Sequence, residues 1–407
     1  MSLPLKKVLL ACITFLGLVI VAEGLAYTTL WLLPGEIRRT SVIYAEQTNQ
    51  IRALFDAEHP ARLVWDELLG WRYRAGYRKG DDIVSPQGLR SHRIYAKSAP
   101  PGTFRIAAFG DSFVYGNEVG TALAWTSRME QACRNVEVLN YGVGGYGVDQ
   151  AYLRYVSEGS LYAPHMVMVG FVSDDLRRLV SVYRRFIDDR EIPLFKPRFV
   201  LVGSGLKLLP NPLHGMSDYE QFLAQPNAVT SLGQYDYWYN PAIYDNPLYD
   251  LSAVVRLAVV LGSRLYNRYL DPNGLWSGNE FNPASEAFRL QIEIFRKFAE
   301  AIRQNGAMPL IVLFPERSAI LSVRAGSRTS YAPLAMKLQE MGLPSLDLME
   351  AFRSHTTGSV ESFFAPEGHY SVRGNEIVAT WLLQWLWQRW QDQKAGVECL
   401  THGPSAQ

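Results

Sequence analysis

A serine stands directly after a short apolar run, in a position that a buried strand does not require. The run RIAAFG (residues 105–110) ends in Gly110, and Asp111 and Ser112 follow it. A serine hydroxyl is a weak nucleophile unless a base accepts its proton and hydrogen-bond donors stabilise the charge that develops on the attacked oxygen. We therefore expect a nucleophile at Ser112, with Asp111 capping the turn, and look for a histidine and for free backbone N–H groups.

One of the seven histidines lies in a suitable place for the base. His369, in the segment PEGHYS, follows Gly368 on a loop just before the last predicted helix (374–390). Glu367 lies two residues before it. A carboxylate that accepts a hydrogen bond from an imidazole orients the ring and stabilises its protonated form. His369 is therefore the candidate base and Glu367 the candidate acid.

A glycine-rich turn, NYGVGGYG (140–147), offers donors for the developing charge. Such a turn can aim a backbone N–H at an oxyanion, although a tight loop without a ligand has the same composition. Gly145 is the candidate donor, and Tyr146 beside it is a candidate substrate contact.

Four short apolar runs are typical of buried strands: residues 105–110, 136–142, 165–171 and 308–314. Between them lie helical patterns, clearest at Phe288, Ile292, Phe295, Phe298 and Ile302. Buried strands that alternate with amphipathic helices predict an α/β protein, with three α/β/α layers and a mainly parallel sheet. Ligands bind at the carboxyl ends of the strands of such a sheet, and Ser112 follows the first of them.

The order of four short blocks resembles that of the SGNH (GDSL-type) hydrolases. The blocks are GDSF (110–113), NYGVGG (140–145), GFVSDD (170–175) and PEGH (366–369). Upstream, LGWRYRAGY and GLRSHR resemble segments of membrane-anchored bacterial members. The resemblance implies a flavodoxin-like topology, Ser112 as nucleophile, His369 as base, and an oxyanion hole built from Ser112, Gly145 and residue 174. It implies no metal and no organic cofactor.

Two positions depart from the family pattern. Asp174 stands where the family has an asparagine whose amide donates to the oxyanion. An ionised Asp174 would repel the developing charge, whereas a protonated one can donate, and Ser173 is an alternative donor. Pro366 stands where the family has an aspartate, so Glu367 either orients His369 or points to solvent and leaves a Ser-His dyad.

Arg177 and Arg178 follow the third block and either bind an anionic sugar or phosphate or form a solvated pair. The stretch from about 178 to 284 does not keep the strand–helix rhythm and is predicted to be an insertion. Its segment YDYWYNPAIYDNPLYD (235–250) provides either a platform for sugar rings or aromatic packing.

The N-terminal run 8–33 is apolar except for Glu23, and it is long enough to span a bilayer. A signal peptide cleaved near residues 24–26 is the alternative, but the run continues beyond that point. We expect a cytoplasmic segment 1–7, an anchor at 8–33, a juxtamembrane segment at 34–100, the α/β domain at 101–392 and a tail at 393–407. The domain is expected in the periplasm of a bacterium, on the inner membrane.

The composition excludes some classes of function. A net charge of +1 gives no indication of a nucleic-acid partner, and three cysteines show neither a disulfide framework nor metal-ligand spacing. Cys133 and Cys399 can pair only in an oxidising compartment. We expect an esterase that acts through an acyl-enzyme on O-acetyl esters of a bacterial polysaccharide. A polysaccharide O-acetyltransferase and a catalytically weak glycan-binding or scaffold protein are the alternatives.

Overall fold

The computed structural model describes residues 3–32, 45–56, 58, 61–188, 191–203, 205–225, 233, 235–271, 274–355 and 359–390. The predicted tail at 393–407 lies outside these residues, and so does Cys399, the predicted partner of Cys133. The strands are β1 (Leu63–Asp66), β2 (Gly70–Tyr73), β3 (Arg78–Lys79), β4 (Asp82–Ile83), β5 (Phe104–Phe109), β6 (Val136–Asn140), β7 (Met166–Phe171), β8 (Arg198–Val202), β9 (Gly205–Leu209), β10 (Trp276–Ser277), β11 (Glu280–Phe281), β12 (Met308–Leu313) and β13 (Ser345–Asp347).

The helices are α1 (Leu3–Leu32), α2 (Ala45–Ala53), α3 (Ser112–Tyr115), α4 (Trp125–Ala132), α5 (Val148–Glu158), α6 (Ser173–Leu179), α7 (Met216–Ala224), α8 (Pro241–Tyr244), α9 (Ala253–Leu265), α10 (Glu286–Gln304), α11 (Arg317–Arg324), α12 (Ala332–Glu340), α13 (Met349–Arg353) and α14 (Val372–Trp390). A short π-helical turn, Tyr266–Leu270, continues α9.

Five parallel strands form the central sheet, in the order β13-β12-β7-β5-β6. The first strand of the sheet, β5, lies between the second and the third, which is the flavodoxin-like order and places a switch point at its carboxyl end. The four predicted strands and the predicted parallel α/β fold are confirmed. The fifth strand, β13, has three residues and no fully buried side chain, and it ends at Asp347, where the sequence also indicates the end of a strand.

Helices cover both faces of the sheet. Phe109 packs on Tyr155 of α5 and Phe298 of α10. Its neighbour Ala108 points to the other face and lies in register with Asn140, which donates to Thr126 of α4. Helix α14 packs on α4, and α10 packs on α5. The predicted three layers are therefore present, and they fix the rim at which β5 ends.

Much of the predicted juxtamembrane segment packs on this domain. Trp71 and Tyr73 of the β1–β2 hairpin contact the glycine-rich turn: the indole Nε1 donates to the Gly144 carbonyl (3.1 Å), and the Gly144 N–H donates to the Tyr73 hydroxyl (3.0 Å). This upstream segment is therefore part of the wall around the predicted site.

Helix α1 is exposed over most of its length and packs on α9 near its end. Residues 5–32 are long and apolar enough to cross a membrane, and an 18-residue window within them has a mean hydropathy of 2.5; signal sequences share this property. The predicted insertion contains the β8–β9 and β10–β11 hairpins and helices α7, α8 and α9.

Candidate active site

The turn after β5 carries Ser112 at the rim of the sheet. Gly110 has φ +156°, and a Cβ atom there would lie 2.5 Å from Val114 Cγ2, so glycine is required where the strand turns into α3. As predicted, Asp111 caps this helix, because its Oδ1 accepts the Phe113 N–H at 2.9 Å. Ser112 is the first residue of α3, and its hydroxyl lies 3.4 Å from Asp111 Oδ2. The serine is thus held on a short turn at the switch point.

Two backbone donors near this turn have no acceptor. The N–H groups of Val143, Gly144 and Tyr146 are bonded to Gly110, Tyr73 and Val143. Within the described part of the chain, the Gly145 N–H has no hydrogen-bond acceptor, and neither has the Ser112 N–H. Gly145 adopts φ +78°, which glycine tolerates without strain. Free donors of this kind can stabilise an oxyanion.

The acid beside His369 is Glu118. Its Oε2 lies 2.8 Å from His369 Nδ1 and accepts the His369 backbone N–H at 2.8 Å, while Oε1 accepts the Glu367 N–H at 2.7 Å. The His369 ring lies 5.2 Å from the ring of Phe113, the residue that follows the serine. The histidine is therefore oriented by a carboxylate and lies against the nucleophile turn.

Glu118 is held as an anion. Partial burial by itself raises the pKa of this carboxyl group, but the N–H donors of Glu367 and His369 and the His369 ring outweigh it, so the net pKa lies below its ordinary value. An ionised acceptor at Nδ1 keeps the proton on that nitrogen and leaves Nε2 free to accept another.

A clamp from the upstream segment holds the Glu118 loop. Glu118 has φ +68°, in the left-handed region that is unusual for a residue with a side chain. The buried Arg90 donates to the carbonyls of Tyr115 (2.7 Å), Gly116 and Val119, on both sides of Glu118. Its guanidinium also lies over the Tyr115 ring at 4.2 Å. Arg90 thus stabilises a strained backbone that presents the carboxylate to His369.

The predicted role of Glu367 is corrected by this geometry. The Glu367 side chain is exposed, and only its backbone N–H takes part, as a donor to Glu118. The loop turns at Gly368, so that the backbone N–H groups of Glu367 and His369 donate to Glu118. The Glu367 carboxylate takes no part in this contact. No spacing rule indicates Glu118 from the sequence, since it lies 251 residues before His369; the only signal was a charged residue six positions after the nucleophile.

Asp174 is not a donor in this site, contrary to one interpretation of the sequence. Its carboxylate pairs with Arg177 (3.2 Å) and lies 3.9 Å from Arg178. Burial raises the pKa of Asp174, but the two guanidiniums, Arg178 first, outweigh it and lower the net pKa below its ordinary value. Asp174 is therefore ionised, and the alternative donor Ser173 shares a hydrogen bond with the Ser330 hydroxyl (3.1 Å).

Tyr146 and Arg178, two further residues that the sequence suggested as possible ligand contacts, are buried and support the site. Tyr146 is fully buried and its hydroxyl donates to the Trp71 carbonyl at 2.5 Å, so its side chain does not face a substrate. Arg178 is not a solvated cation; it pairs with Asp111 (3.2 Å) and donates to the Tyr146 carbonyl (3.0 Å). Arg178 therefore ties the nucleophile turn to the glycine-rich turn.

Arg177 is partly exposed and reaches a neighbouring cavity. Besides its pair with Asp174, its guanidinium lies 5.6 Å from the Trp238 ring, and the Trp238 indole donates to the Arg177 carbonyl at 2.9 Å. Trp238 lines a cavity of about 500 Å³. The remaining lining residues are aromatic or small and polar: Tyr237, Tyr239, Asn240, Gly262, Ser263, Tyr266, Asn267 and Asp271. The predicted aromatic segment thus forms a cavity wall next to α6.

A further carboxyl group, which the sequence did not indicate, lies near Asp174. Glu316 follows β12 and precedes α11, at the same rim of the sheet as Ser112. Burial, with the nearby charge of Asp174, raises its pKa to about 7. Glu316 is therefore protonated in a large fraction of molecules at neutral pH and can donate a hydrogen bond in that form.

The arrangement suits acyl transfer by a serine. It combines a hydroxyl on a tight turn, an imidazole held by a carboxylate, and two free N–H groups, which are the parts that nucleophilic catalysis at a carbonyl requires. Within the described ranges, no three His, Cys, Asp or Glu side chains converge as a metal site.

Comparison with known proteins gave structural neighbours only. No family model matches the chain, and no curated protein matches it. A lipase/acylhydrolase from Enterococcus faecalis is 14% identical with a TM-score of 0.32, over 70% of this chain and 97% of that one. A lipolytic protein of the G-D-S-L family from Veillonella parvula is 13% identical with a TM-score of 0.32, over 69% and 97%.

A third neighbour is a two-domain esterase active on acetylated mannans, co-crystallised with mannopentaose. It is 12% identical with a TM-score of 0.31, over 70% of this chain and 49% of that one. Of these three, the Veillonella parvula protein is described as a member of the G-D-S-L family, which the sequence motifs also resemble. The identities and TM-scores of all three are low, so the chemistry of the site depends on its own contacts.

Proposed function

We propose that the protein is a serine ester hydrolase that works through an acyl-enzyme, with Ser112 as nucleophile, His369 as base and Glu118 as the orienting acid. The observation that carries this proposal is the contact between the ionised Glu118 and Nδ1 of His369, on a ring that packs beside the serine turn. A histidine that served only to pack would not need a carboxylate that two backbone N–H groups fix in place, on a residue with a strained left-handed backbone.

The reaction follows from these groups. His369 Nε2 takes the proton of Ser112 as the hydroxyl oxygen attacks the ester carbonyl, and Glu118 stabilises the imidazolium that forms. The N–H groups of Ser112 and Gly145 hold the oxyanion. The imidazolium then protonates the leaving alkoxide, and the acyl-enzyme remains. Water, deprotonated by His369, attacks the acyl carbon and releases the acid and the free serine.

The proposed substrate is an O-acetylated saccharide of a bacterial polysaccharide. Support comes from the cavity beside α6, because its exposed tyrosine and tryptophan faces with interspersed amide and hydroxyl groups suit sugar rings. Arg177 links this cavity to the rim of the site through Trp238. A saccharide in the cavity can therefore place a substituent towards the site.

We further propose that α1 is retained as a single-pass anchor in the inner membrane and that the domain is periplasmic. The helix continues to Leu32, beyond the small residues at 24–26 where a signal peptidase would cut. Ala26 and Leu30 on this last part are buried, whereas most of α1 is exposed. The end of α1 thus packs on the rest of the protein, and this packing supports the proposal that the helix is retained.

A fluorophosphonate probe tests the proposed nucleophile. The detergent-purified parent is expected to be labelled, Ser112→Ala to lose labelling, and His369→Ala to lose it by at least about 10³-fold in rate. Ser157→Ala, at a serine whose hydroxyl bonds only within α5, is the control and is expected to label as the parent does. A folded parent that is not labelled would contradict the proposal and favour a glycan-binding role.

Release of acetate separates hydrolysis from transfer. We expect the parent to liberate acetate from acetylated xylan or mannan in water, with no requirement for a saccharide acceptor. Labelling without acetate release, followed by acetate appearing on an added oligosaccharide, would instead identify a transferase.

A further inference from the structure

The carboxylate of Glu23, within the apolar helix α1, is bound by the start of another helix. The Ser252 hydroxyl donates to it, and so do the backbone N–H groups of Ala253 (2.7 Å) and Val254 (3.4 Å), the first two residues of α9. An ionisable group among acyl chains requires partners, and the positive end of a helix suits a carboxylate. Helix α9 therefore begins beside α1, at the level of Glu23.

The position of Glu23 along α1 sets the depth of this contact. A hydrocarbon layer of about 30 Å takes about 20 helical residues, so a span that begins at Val8, after the two lysines, ends near Tyr27. Glu23 lies about 6 Å before that boundary at 1.5 Å per residue. Helices that lie in the membrane interface bury their apolar face by about 5–10 Å. The start of α9 is thus at the depth expected of such a helix.

One face of α9 presents an apolar stripe away from the protein. Its members in the helix follow spacings of three and four, and all are exposed: Val254 (39%), Ala258, Leu261 (46%) and Leu265 (58%). Leu251 (81%), which lies two residues before α9 begins, is also exposed and is counted with them. A soluble surface seldom leaves a continuous stripe of this kind uncovered. The opposite side contributes the buried Val260 to a small cluster with Ile243 and Tyr249.

Polar and aromatic groups border the stripe. Tyr266 and Tyr269, at the end of the helix, are 53% and 70% exposed, and tyrosine is enriched where membrane and water meet. Arg264 is exposed next to Leu265 and has a long side chain that can reach the headgroups. An apolar face bordered by tyrosine and arginine side chains is the pattern of a helix that lies in the membrane–water interface.

We propose that α9 is an interfacial membrane helix, whose stripe (Leu251, Val254, Ala258, Leu261 and Leu265) rests on the acyl chains of the leaflet next to the catalytic domain. The partner is the lipid bilayer, since the stripe continues from the lipid-facing surface of α1 through the Glu23 contact. This inference rests on the proposed retention of α1 as an anchor, and not on the ester chemistry. The cavity partly lined by α9 would then lie close to the membrane surface.

Lipid-borne quenchers test the proposal in the full chain. Starting from Cys12→Ser, which keeps Cys133 and Cys399, one cysteine is added at a time as Leu261→Cys or Leu265→Cys and labelled with an environment-sensitive fluorophore. The protein is then placed in phosphatidylcholine–phosphatidylglycerol vesicles that contain doxyl-labelled lipid. Phe15→Cys in α1 reports on the anchor. Met336→Cys on α12, also an exposed apolar position (53%), is the matched control. The Cys12→Ser chain without an added cysteine gives the background to subtract.

We expect quenching at 261 and 265 to exceed that at 336 by at least about threefold, because a probe 5–10 Å inside the interface meets the doxyl groups. Quenching at 15 but not at 261 or 265 would overturn the proposal while leaving the anchor intact, and would mean that the stripe faces water or a protein. Absence of quenching at 15 as well would reject the anchor and the interfacial helix together.

Discussion

The two corners of the proposed site differ in how they are built. At the nucleophile corner, Gly110, Asp111 and Ser112 are neighbours in sequence, and the contacts that form the turn itself span one or two positions. At the histidine corner, His369 meets Glu118 across 251 positions, and Glu118 is itself held by Arg90 from the upstream segment. The first corner is local, whereas the second exists only once three distant segments have packed.

This difference has an energetic side. A local turn loses little chain entropy beyond that of its own residues, and a glycine with a capping aspartate is enough to form it. The histidine corner needs a left-handed Glu118, three buried carbonyls and a guanidinium, so it depends on the whole domain. Substitutions at the histidine corner are therefore expected to show which long-range contacts the activity requires.

The largest expected effect is at the acid. Glu118→Gln keeps the size of the side chain but removes the charge that stabilises the imidazolium, so kcat for p-nitrophenyl acetate is expected to fall by about 10²–10⁴-fold. Glu367→Gln is the matched control, since its carboxylate is exposed, and kcat within about twofold of the parent is expected. A larger loss of kcat in Glu367→Gln than in Glu118→Gln would identify Glu367 as the acid. The histidine corner would then be local, like the nucleophile corner.

The next effect is at the clamp. Arg90→Lys keeps the positive charge but not the fork that reaches three carbonyls, so the Glu118 loop is expected to shift, and kcat to fall by about 10–100-fold with KM little changed. Unsatisfied buried carbonyls are also expected to cost about 1–3 kcal/mol each in the free energy of unfolding.

Arg128→Lys, at a half-buried position of α4 whose guanidinium donates to the Leu123 carbonyl, is the control for the clamp. A purely structural role for Arg90 would lower the melting temperature while kcat per folded molecule stayed at the parent value. That outcome would mean that Arg90 stabilises the fold without positioning Glu118 for catalysis.

Local patterns predicted the sheet, the strand ends and the nucleophile corner, because a strand of apolar residues and a capped turn depend on neighbours in the chain. Ser112, His369 and the free Gly145 N–H lie where they were expected, although their roles remain proposals. Glu118 could not be predicted, because nothing in GNEVG indicates which distant loop it meets. Tyr146 was misplaced for the same reason: its partner, the Trp71 carbonyl, belongs to the segment that was interpreted as juxtamembrane.

The effect of Glu316 depends on pH. Its pKa is raised to about 7, so as pH rises through 7 the group loses its proton and adds a negative charge near Asp174 and Asp111. We expect kcat/KM of the parent to decline above about pH 7 in a step that Glu316→Gln removes. The exposed Glu340→Gln is the control. An unchanged alkaline limb in Glu316→Gln would place this carboxyl outside the reacting site.

The same shift predicts a stability effect with a definite sign. A carboxyl whose pKa is higher in the folded state than its ordinary 4.5 contributes stability that is complete below pH 4.5 and lost as pH rises through about 7. Glu316→Gln is therefore expected to have a higher melting temperature than the parent at pH 8, with the advantage absent near pH 4.5. An equal difference at both pH values would mean that packing, not the proton, is responsible.

The smallest expected effect is at Asp174, whose carboxylate pairs with Arg177 and Arg178. Its ionised carboxylate cannot donate to an oxyanion, whereas an amide can, so Asp174→Asn is expected to raise kcat by about threefold to tenfold, well below the full value of an aligned oxyanion donor. Asp174→Ala also removes the charge but supplies no donor. Comparison of the two variants therefore separates the effect of the lost charge from the effect of the added donor. A rise in kcat in Asp174→Asn alone would mean that the parent site lacks a third donor. A rise in kcat in both variants would mean that the negative charge itself opposes the reaction. No rise in either would mean that the N–H groups of Ser112 and Gly145 suffice, because the charge of Asp174 is already balanced by Arg177 and Arg178.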